Sequence, residues 1–520
     1  MKTFFKGLGI LVLVFLVGLI GWMYSNLKDR NPGYSVDMKI LDQKPAGLKA
    51  GFAAFPITPE VPDRWVDKNK DAEYHPEDGD TFTDGNGNGV FDGVWIAGFG
   101  NSRAANGIHD DVWARTMVID DGKTRVGIVV LDAIGFMNDD IIDIRKRIPA
   151  EAGMTYTIIS STHTHEGEDL LGLWGDSHFR SGINKKYLEY VKSQVVKSVL
   201  TAVKNIRPAK LEVSQDLTGA SDLLLDSRLP EVFDSGLRLI KAIDKENGAV
   251  LGSLVAWADH PETLWSDNLL ISSDFPHYVR EGVEKGVFNK DSLMKKGIGG
   301  VAVYINGAVG GLMTTHPRMS IKDPFTSQEY KEPTFEKTEA QGKKLALLAL
   351  NAMDKPTDTI DTAAISLITK TIYLPIYNVN FKLGTALGVL DRGTTGWMKM
   401  RSEVSVFKIG PLSFATVPGE IYPEILNGGV EAPEGQDYKI APAEVPAVRE
   451  LMKGKYKFVF GLANDEIGYI VPKSQWDEKK PFTYKRDGAP YGEVNSLGPE
   501  TAPALHQHLK ELLNELNQHE

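Results

Sequence analysis

The chain of 520 residues contains no cysteine. Disulfides, thiolate metal sites, a cysteine nucleophile and a lipid-modified cysteine are thereby all excluded. Any metal must be held by imidazole, carboxylate, phenol or main-chain oxygen. Histidine is scarce as well, with 11 residues in all, so the close pair His163 and His165 stands out. Positive charge is in the minority: 58 Lys and Arg face 69 Asp and Glu, a formal net charge of −11. With no basic stripe to offset it, this balance disfavours nucleic acid as a partner. Long hydrophobic runs are missing with one exception. After Lys2 and Lys6, residues Gly7 to Tyr24 form 18 positions without a charge, just enough helix to cross a hydrocarbon core. The run closes on Trp22-Met23-Tyr24, side chains that suit a membrane interface. A cleaved signal peptide is the rival reading, but its apolar region is normally shorter and ends in a small-residue cleavage site. The expectation is a signal-anchor transmembrane helix over 1–30, a polar tether over 31–47 and one globular body over 48–520, membrane-anchored with the body extracytoplasmic, on the periplasmic or extracellular side.

Apolar content of 42% and charged content of 24% are ordinary for a folded body of this length. Residues 60–93 are rich in Asp, Gly and Pro and read as loop. Within them Asp84, Asn86, Asn88 and Asp92 alternate with glycines, like the first part of a calcium loop. Trp95 stands where such a loop needs its bidentate Glu, so a Ca²⁺ site and a plain Asx/Gly turn both remain open. Strands and helices then alternate. Helices are expected over 138–147 with an Asn cap, 185–204, 278–285, 335–354 and 502–516. Apolar strand runs are expected at 116–120, 126–132, 156–159, 211–213, 237–243, 249–257, 300–305, 363–373, 404–409, 412–417 and 457–461. The expected class is α/β, with α+β character: mixed sheets and flanking helices in a single large domain.

Several polar residues stand directly after these strands, where a rigid element aims a side chain and a loop gives access. Tyr156-Thr157-Ile158-Ile159 leads into Ser160-Ser161-Thr162-His163-Thr164-His165-Glu166-Gly167. Val255-Ala256-Trp257-Ala258-Asp259 leads into His260-Pro261. Phe414-Ala415-Thr416-Val417 leads into Pro418-Gly419-Glu420. Gly461-Leu462-Ala463-Asn464 leads to Gly468-Tyr469. Imidazole is the commonest metal ligand and a proton shuttle near neutral pH. His109-Asp110-Asp111 is a further candidate metal ligand group, and Asp274 with His277 follows the His260 segment. His75, His178, His316 and the tail histidines read as surface residues.

Taken in order, these four motifs resemble the neutral/alkaline (non-lysosomal) ceramidase family over roughly residues 48–515. The resemblance implies a ceramidase-like catalytic domain with one Zn²⁺ held by His163, His260, Glu420 and Tyr469. It implies His165 as general acid and base, with Arg228 and Tyr491 serving the substrate carbonyl and its oxyanion. The implied reaction is hydrolysis of a linear N-acyl amide by metal-activated water, on a lipidic or amphiphilic substrate such as a ceramide-like amide. A zinc esterase or lactonase on the same site, and a catalytically inactive envelope binding protein, are the alternatives. The chain departs from the family in places. Gly310 and Ala308 stand where the family has Ser and Asp, Glu166-Gly167-Glu168 replaces Ser-Gly-Pro, and the family's immunoglobulin-like C-terminal domain has no counterpart. A covalent route through Ser is closed; a turn of backbone N–H donors around Gly310 is the expected replacement.

Overall fold

The computed structural model describes residues 2–41, 44–311, 313–315 and 319–519; His316 lies outside them. Its centre is two sheets packed face to face. The larger sheet runs Val301–Ile305, Val250–Ala256, Leu237–Asp244, Arg207–Asp216, Lys49–Pro56, Trp113–Asp120, Arg125–Leu131, Tyr156–Ser161, with Asp358–Ile360 also pairing to Arg207–Asp216. The second sheet runs Asp37–Ile40, Ile365–Pro375, Lys399–Ile409, Leu412–Thr416, Tyr456–Phe460. Successive side chains of a strand point to opposite faces. Val126, Ile128 and Val130 therefore enter the layer between the sheets, where they share a core with Phe407, Phe414, Phe458 and Phe460. Val129 and Leu131 point outward under helix α3 (Lys185–Lys204). Because both faces are covered there, the run 126–131 is apolar throughout rather than alternating.

Helices close the outer faces. α2 (Asn138–Arg147) and α3 cover one end of the large sheet. α4 (Phe275–Glu284) and α5 (Phe335–Met353) cover the other. The helix Thr501–Asn517 lays Leu505, Leu509, Leu512 and Leu516 on the second sheet. Asn184 and Thr334 cap α3 and α5 through their side chains, as Asn and Thr do at helix starts. The long helices begin and end close to their expected bounds. α4 starts three residues before the expected Tyr278, because the buried Asp274 accepts from the main-chain N–H of Phe275. The expected Asn cap of α2 is corrected: Asn138 is the first helical residue, its N–H donates to Asp465 across the fold, and its side chain donates to the Asn464 carbonyl.

Other segments differ from expectation or add to it. Residues 31–47 are no free tether. Met38 packs on the inter-sheet core, and Asp37–Ile40 is the edge strand of the second sheet, paired antiparallel with Leu367–Lys370. The helix α6 (Val379–Ala386), which no periodic pattern marked, stands beside the same sheet. Finally, the Asp84–Asp92 loop closes on itself. Asp84 accepts from the N–H groups of Gly87 and Gly89, Asn86 and Asn88 accept from those of Asn88 and Val90, and both amides donate to Asp92. These bonds are those of Asx turns, and each oxygen keeps a second lone pair. Among the described tail histidines, His506 is buried against the Pro446 carbonyl rather than exposed.

α1 (Lys2–Leu27) projects with its apolar side chains uncovered; Phe4–Leu27 has a mean hydropathy of 2.4. Its exit is tied to the body. Asp29 accepts two hydrogen bonds from Arg401, at 2.9 and 3.1 Å, and the Asn31 carbonyl accepts a third at 2.9 Å. Removal of residues 1–24 should therefore leave the thermal transition of the body unchanged. Removal of residues 1–36 should lower its stability by about 2–3 kcal/mol, because the buried Arg401 loses charge-assisted partners. Equal melting curves for the two truncations would contradict this account.

Candidate metal centre and cavity

Within the two large sheets three pairs of neighbouring strands are parallel among the described residues: Arg125–Leu131 with Tyr156–Ser161, Val250–Ala256 with Val301–Ile305, and Leu412–Thr416 with Tyr456–Phe460. The candidate residues follow the carboxyl ends of these pairs, where open α/β sheets commonly bind ligands. The two sheets are stitched together there. The N–H of Ser161 donates to Leu462 O, that of Asn464 to Ile159 O, and that of Gly461 to Asn306 O. Asn306 is the knot. Its amide donates to the carbonyls of Thr162 at 2.9 Å and Asp259 at 2.8 Å, and accepts from the N–H groups of Asp259 and Gly307. One side chain thus fixes the loop before His163 to the loop before His260.

His163 has a φ of 69°, in the left-handed region that a branched or bulky side chain rarely enters. Its N–H donates to Ala133 O and its ring Nδ1 lies 2.5 Å from Ile134 O. That carbonyl makes Nδ1 the protonated nitrogen and leaves Nε2 as the free lone pair, the arrangement found behind metal-ligating imidazoles. His163 Nε2 faces Glu420 Oε2 at 3.4 Å, and His260 Nε2 faces the same oxygen at 3.1 Å. Tyr469 Oη lies 3.4 Å from His260 Nε2. Glu420 and Tyr469 are brought side by side by a short parallel pairing of Glu420–Ile421 with Tyr469–Ile470. Ligand atoms around a tetrahedral ion at 2.0–2.1 Å stand about 3.3 Å apart, so the spacing fits a single Zn²⁺-sized ion. His165 is drawn into the same cluster: its ring nitrogens and those of His163 and His260 include a set within 4.8 Å of one another.

All five side chains are buried, and burial governs their protonation. It pushes the His165 imidazolium pKa well down, helped by the neighbouring imidazoles and Arg103. Burial opposes ionisation of Glu420 too, but His163 and His260 outweigh it and hold that carboxyl low. The Tyr469 phenol is pushed up, by burial first and then by Glu420. His165 Nδ1 lies 3.3 Å from Glu262 Oε2, although out of line for a hydrogen bond; neither ring nitrogen of His165 has a hydrogen-bond partner. Glu262 itself is raised to about 7 by burial.

Some neighbours carry no motif. The buried Arg103 pairs with Glu166 and donates to the His165 carbonyl at 2.9 Å; Glu166 also accepts from Asn268 at 2.7 Å. The residue that departs from the family after the histidine pair thus locks the histidine turn. Gly98 must be glycine: a Cβ there would lie 2.5 Å from the His165 ring. Glu466 faces the cavity and is held neutral by burial and by Glu420.

His163, His165, Glu420 and Tyr469 of the cluster floor a cavity of about 200 Å³ whose walls are Ile134, Met137, Leu171, Trp174, Phe381 and Leu390. Tyr491 lines it, with its ring 5.7 Å from that of Tyr469. Arg228, expected at the substrate carbonyl, stands elsewhere. Its guanidinium donates to Glu493 at 2.7 Å and to Gln475 O, and stacks over Tyr422. It holds the short helix Tyr491–Val494 that carries Tyr491. The expected backbone donor at Gly310 is also corrected, since its N–H is taken up by Ile421 O at 2.9 Å. His109 stacks on Phe335 and bonds Asp110, which is engaged in turn by Ser272 and Ser273, away from the cluster. Asp274 is occupied as the α4 cap.

No protein-family model matches the chain. Two solved structures share its fold. One is a neutral ceramidase from Pseudomonas aeruginosa, with a TM-score of 0.62 at 16% identity over 91% of this chain and 75% of that one. The other is a ceramidase complexed with C2, with a TM-score of 0.62 at 16% identity over 91% of this chain and 76% of its own. The expected ceramidase-like α/β fold is the one observed.

Two substitutions test the architecture. Asn306→Asp places a carboxylate against two buried carbonyls and should cost about 2–5 kcal/mol in denaturant unfolding. Gly310→Ser puts a Cβ 2.6 Å from the main chain of Ile421 and Tyr422, and should cost about 1–3 kcal/mol by overpacking. A Gly310→Ser protein as stable as the wild type would show that this close approach is not a constraint.

Proposed function

We propose that the chain is a zinc-dependent hydrolase that cleaves the N-acyl amide bond of a lipidic, ceramide-like substrate. The observation that carries this reading is the convergence of His163 Nε2, His260 Nε2, Glu420 Oε2 and Tyr469 Oη at the polar floor of an apolar-walled cavity. Two neutral imidazoles, one carboxylate and a phenol are a donor set that suits zinc and leaves it a net positive charge. When bound there, zinc supplies an activated water at neutral pH and polarises a carbonyl.

The side chains do the rest. Ile134 O holds His163 in the tautomer that presents Nε2. His165, kept neutral by burial, accepts a proton from the attacking water and returns it to the departing amine. Glu262 stands beside its Nδ1 and compensates the imidazolium formed between those two events. Tyr491, at the cavity edge, is placed to donate to the developing oxyanion; Arg228 positions it through Glu493. Such a donor is commonly worth about 3 kcal/mol of barrier. The walls exclude water and receive an acyl chain. The apolar α1 is read as a signal-anchor that keeps the body on the extracytoplasmic side of the membrane.

The test separates metal from proton transfer. Full-length wild type, His163→Ala and His165→Ala are analysed for metal by elemental mass spectrometry and assayed on N-acyl amides and matching esters. His163→Ala should lose the metal and all activity. His165→Ala should keep the metal and slow by about 10²–10⁴-fold, the span of general acid–base catalysis. A His165→Ala enzyme as fast as wild type removes its assigned role, and a metal-loaded wild type inert on every substrate sinks the hydrolase reading.

A further inference from the structure

The end of α1 is fixed to the wall of the cavity. Asn26 Nδ2 donates to Ala386 O, at the carboxyl end of α6, at 3.0 Å. The Leu27 carbonyl accepts from both the N–H and the hydroxyl of Thr394, at 3.1 and 2.8 Å. The contact at Gly388 is so close that a Cβ there would lie 2.9 Å from Asn26 Nδ2. The apolar run ends at Tyr24 and the helix continues unbroken to Leu27. The first hydrogen bond to the body therefore lies about 3 Å of helix rise beyond the interfacial aromatic residue.

α6 has two working faces. Phe381 and Gly384 line the cavity. Val379 and Leu383, one turn apart on the neighbouring stripe, are 64% and 49% exposed. At its other end Asn378 donates to the carbonyls of Val494 and Ser496, beside Tyr491 at the cavity edge. Eight residues of helix bridge about 12 Å, so α1, α6 and the cavity mouth form one continuous side of the molecule. The loop that receives Leu27 also carries Trp397, 85% exposed. Isolated apolar side chains on a surface are unremarkable, but a contiguous set marks a contact region. Trp and Tyr among them suit the membrane interface in particular.

We infer that this side is a membrane-docking surface. Its occupant is the leaflet of the bilayer into which α1 passes, so the cavity opens into the boundary between headgroups and acyl chains. A lipid amide then enters laterally, without crossing water. The inference rests on the anchor and hydrolase readings above, and its first test reads depth rather than activity.

The absence of native cysteine makes that test direct. Full-length Leu383→Cys and Trp397→Cys carry a nitroxide in phosphatidylcholine vesicles, with Leu293→Cys, on a hairpin packed against α4 and α5, as the reference. Labels at 383 and 397 should collide several-fold more with oxygen than with a water-soluble nickel chelate, and the label at 293 should show the reverse. If 383 and 397 behave as 293 does, the docking surface is refuted. In a second arm, Val379→Asp with Leu383→Asp should lower turnover of a vesicle-embedded amide about tenfold and leave that of a short water-soluble amide unchanged. Equal loss on both overturns lateral entry. If no amide is cleaved at all, the hydrolase reading falls, while the nitroxide result still decides the docking.

Discussion

The side-chain amide of Asn306 is the interaction on which the site depends. Histidines from two separate strands must meet, and nothing in their own strands brings them together. Asn306 bridges the carbonyl before His163 and the carbonyl before His260 while accepting from two N–H groups. The amide's two donors and two lone pairs are all engaged, which is the most an Asn can do. In a buried position each such bond has no competing water, and each lost one leaves an uncompensated polar group. The stitched strand ends around it are the rigid frame; the left-handed His163 is strain that this frame holds in place.

Around the knot, charge is managed by pairing or by neutralisation. Glu420 stays ionised because two imidazoles face it, whereas Glu466 and Glu262, equally buried, are held towards the neutral form. Four acids in so small a volume cannot all be ionised without counter-charge. Glu166 takes Arg103 as its partner, and this pair serves the main chain of the histidine turn. The acids thereby differ in role without leaving the core: Glu420 is ligand-like, Glu466 keeps its proton, Glu262 is poised at about 7 and Glu166 faces Arg103.

What was legible in the sequence follows from local physics. His163, His260, Glu420 and Tyr469 each follow a run that reads as a strand at short range, and the resemblance to the ceramidase motifs is what singles them out as a set. Their convergence could not be read, since it depends on Asn306 and on pairings between distant segments. The same limit explains the misses. The Asn138 cap is supplied by Asp465, more than 300 residues away in sequence. Arg103 and Glu166 meet only through the fold. Arg228 has the sequence neighbourhood that the resemblance links to the substrate carbonyl, while its charge is claimed by Glu493. Val36, Met38 and Ile40 do alternate with polar residues, a period that signals the edge strand although the polarity of the segment suggests a tether. α6 is short, and its apolar residues face cavity and surface together, so it has no single buried stripe to detect.

Gly310 shows how the departures from the family pattern are connected. Its main chain approaches Ile421 and Tyr422 too closely for any side chain, and its N–H holds the carbonyl of the residue after Glu420. A serine at that position requires the Glu420 segment to stand further off. The glycine is then a condition for where the carboxylate sits, and through the parallel pairing with Tyr469 for where the phenol sits. Substituting it does not simply restore a hydroxyl to the wall; it moves two of the four groups that face the common point. On the proposed function, the chemistry falls to His163, His165, His260, Glu420 and Tyr469 in their present arrangement. The glycine at this position belongs to the same frame that brings those five together.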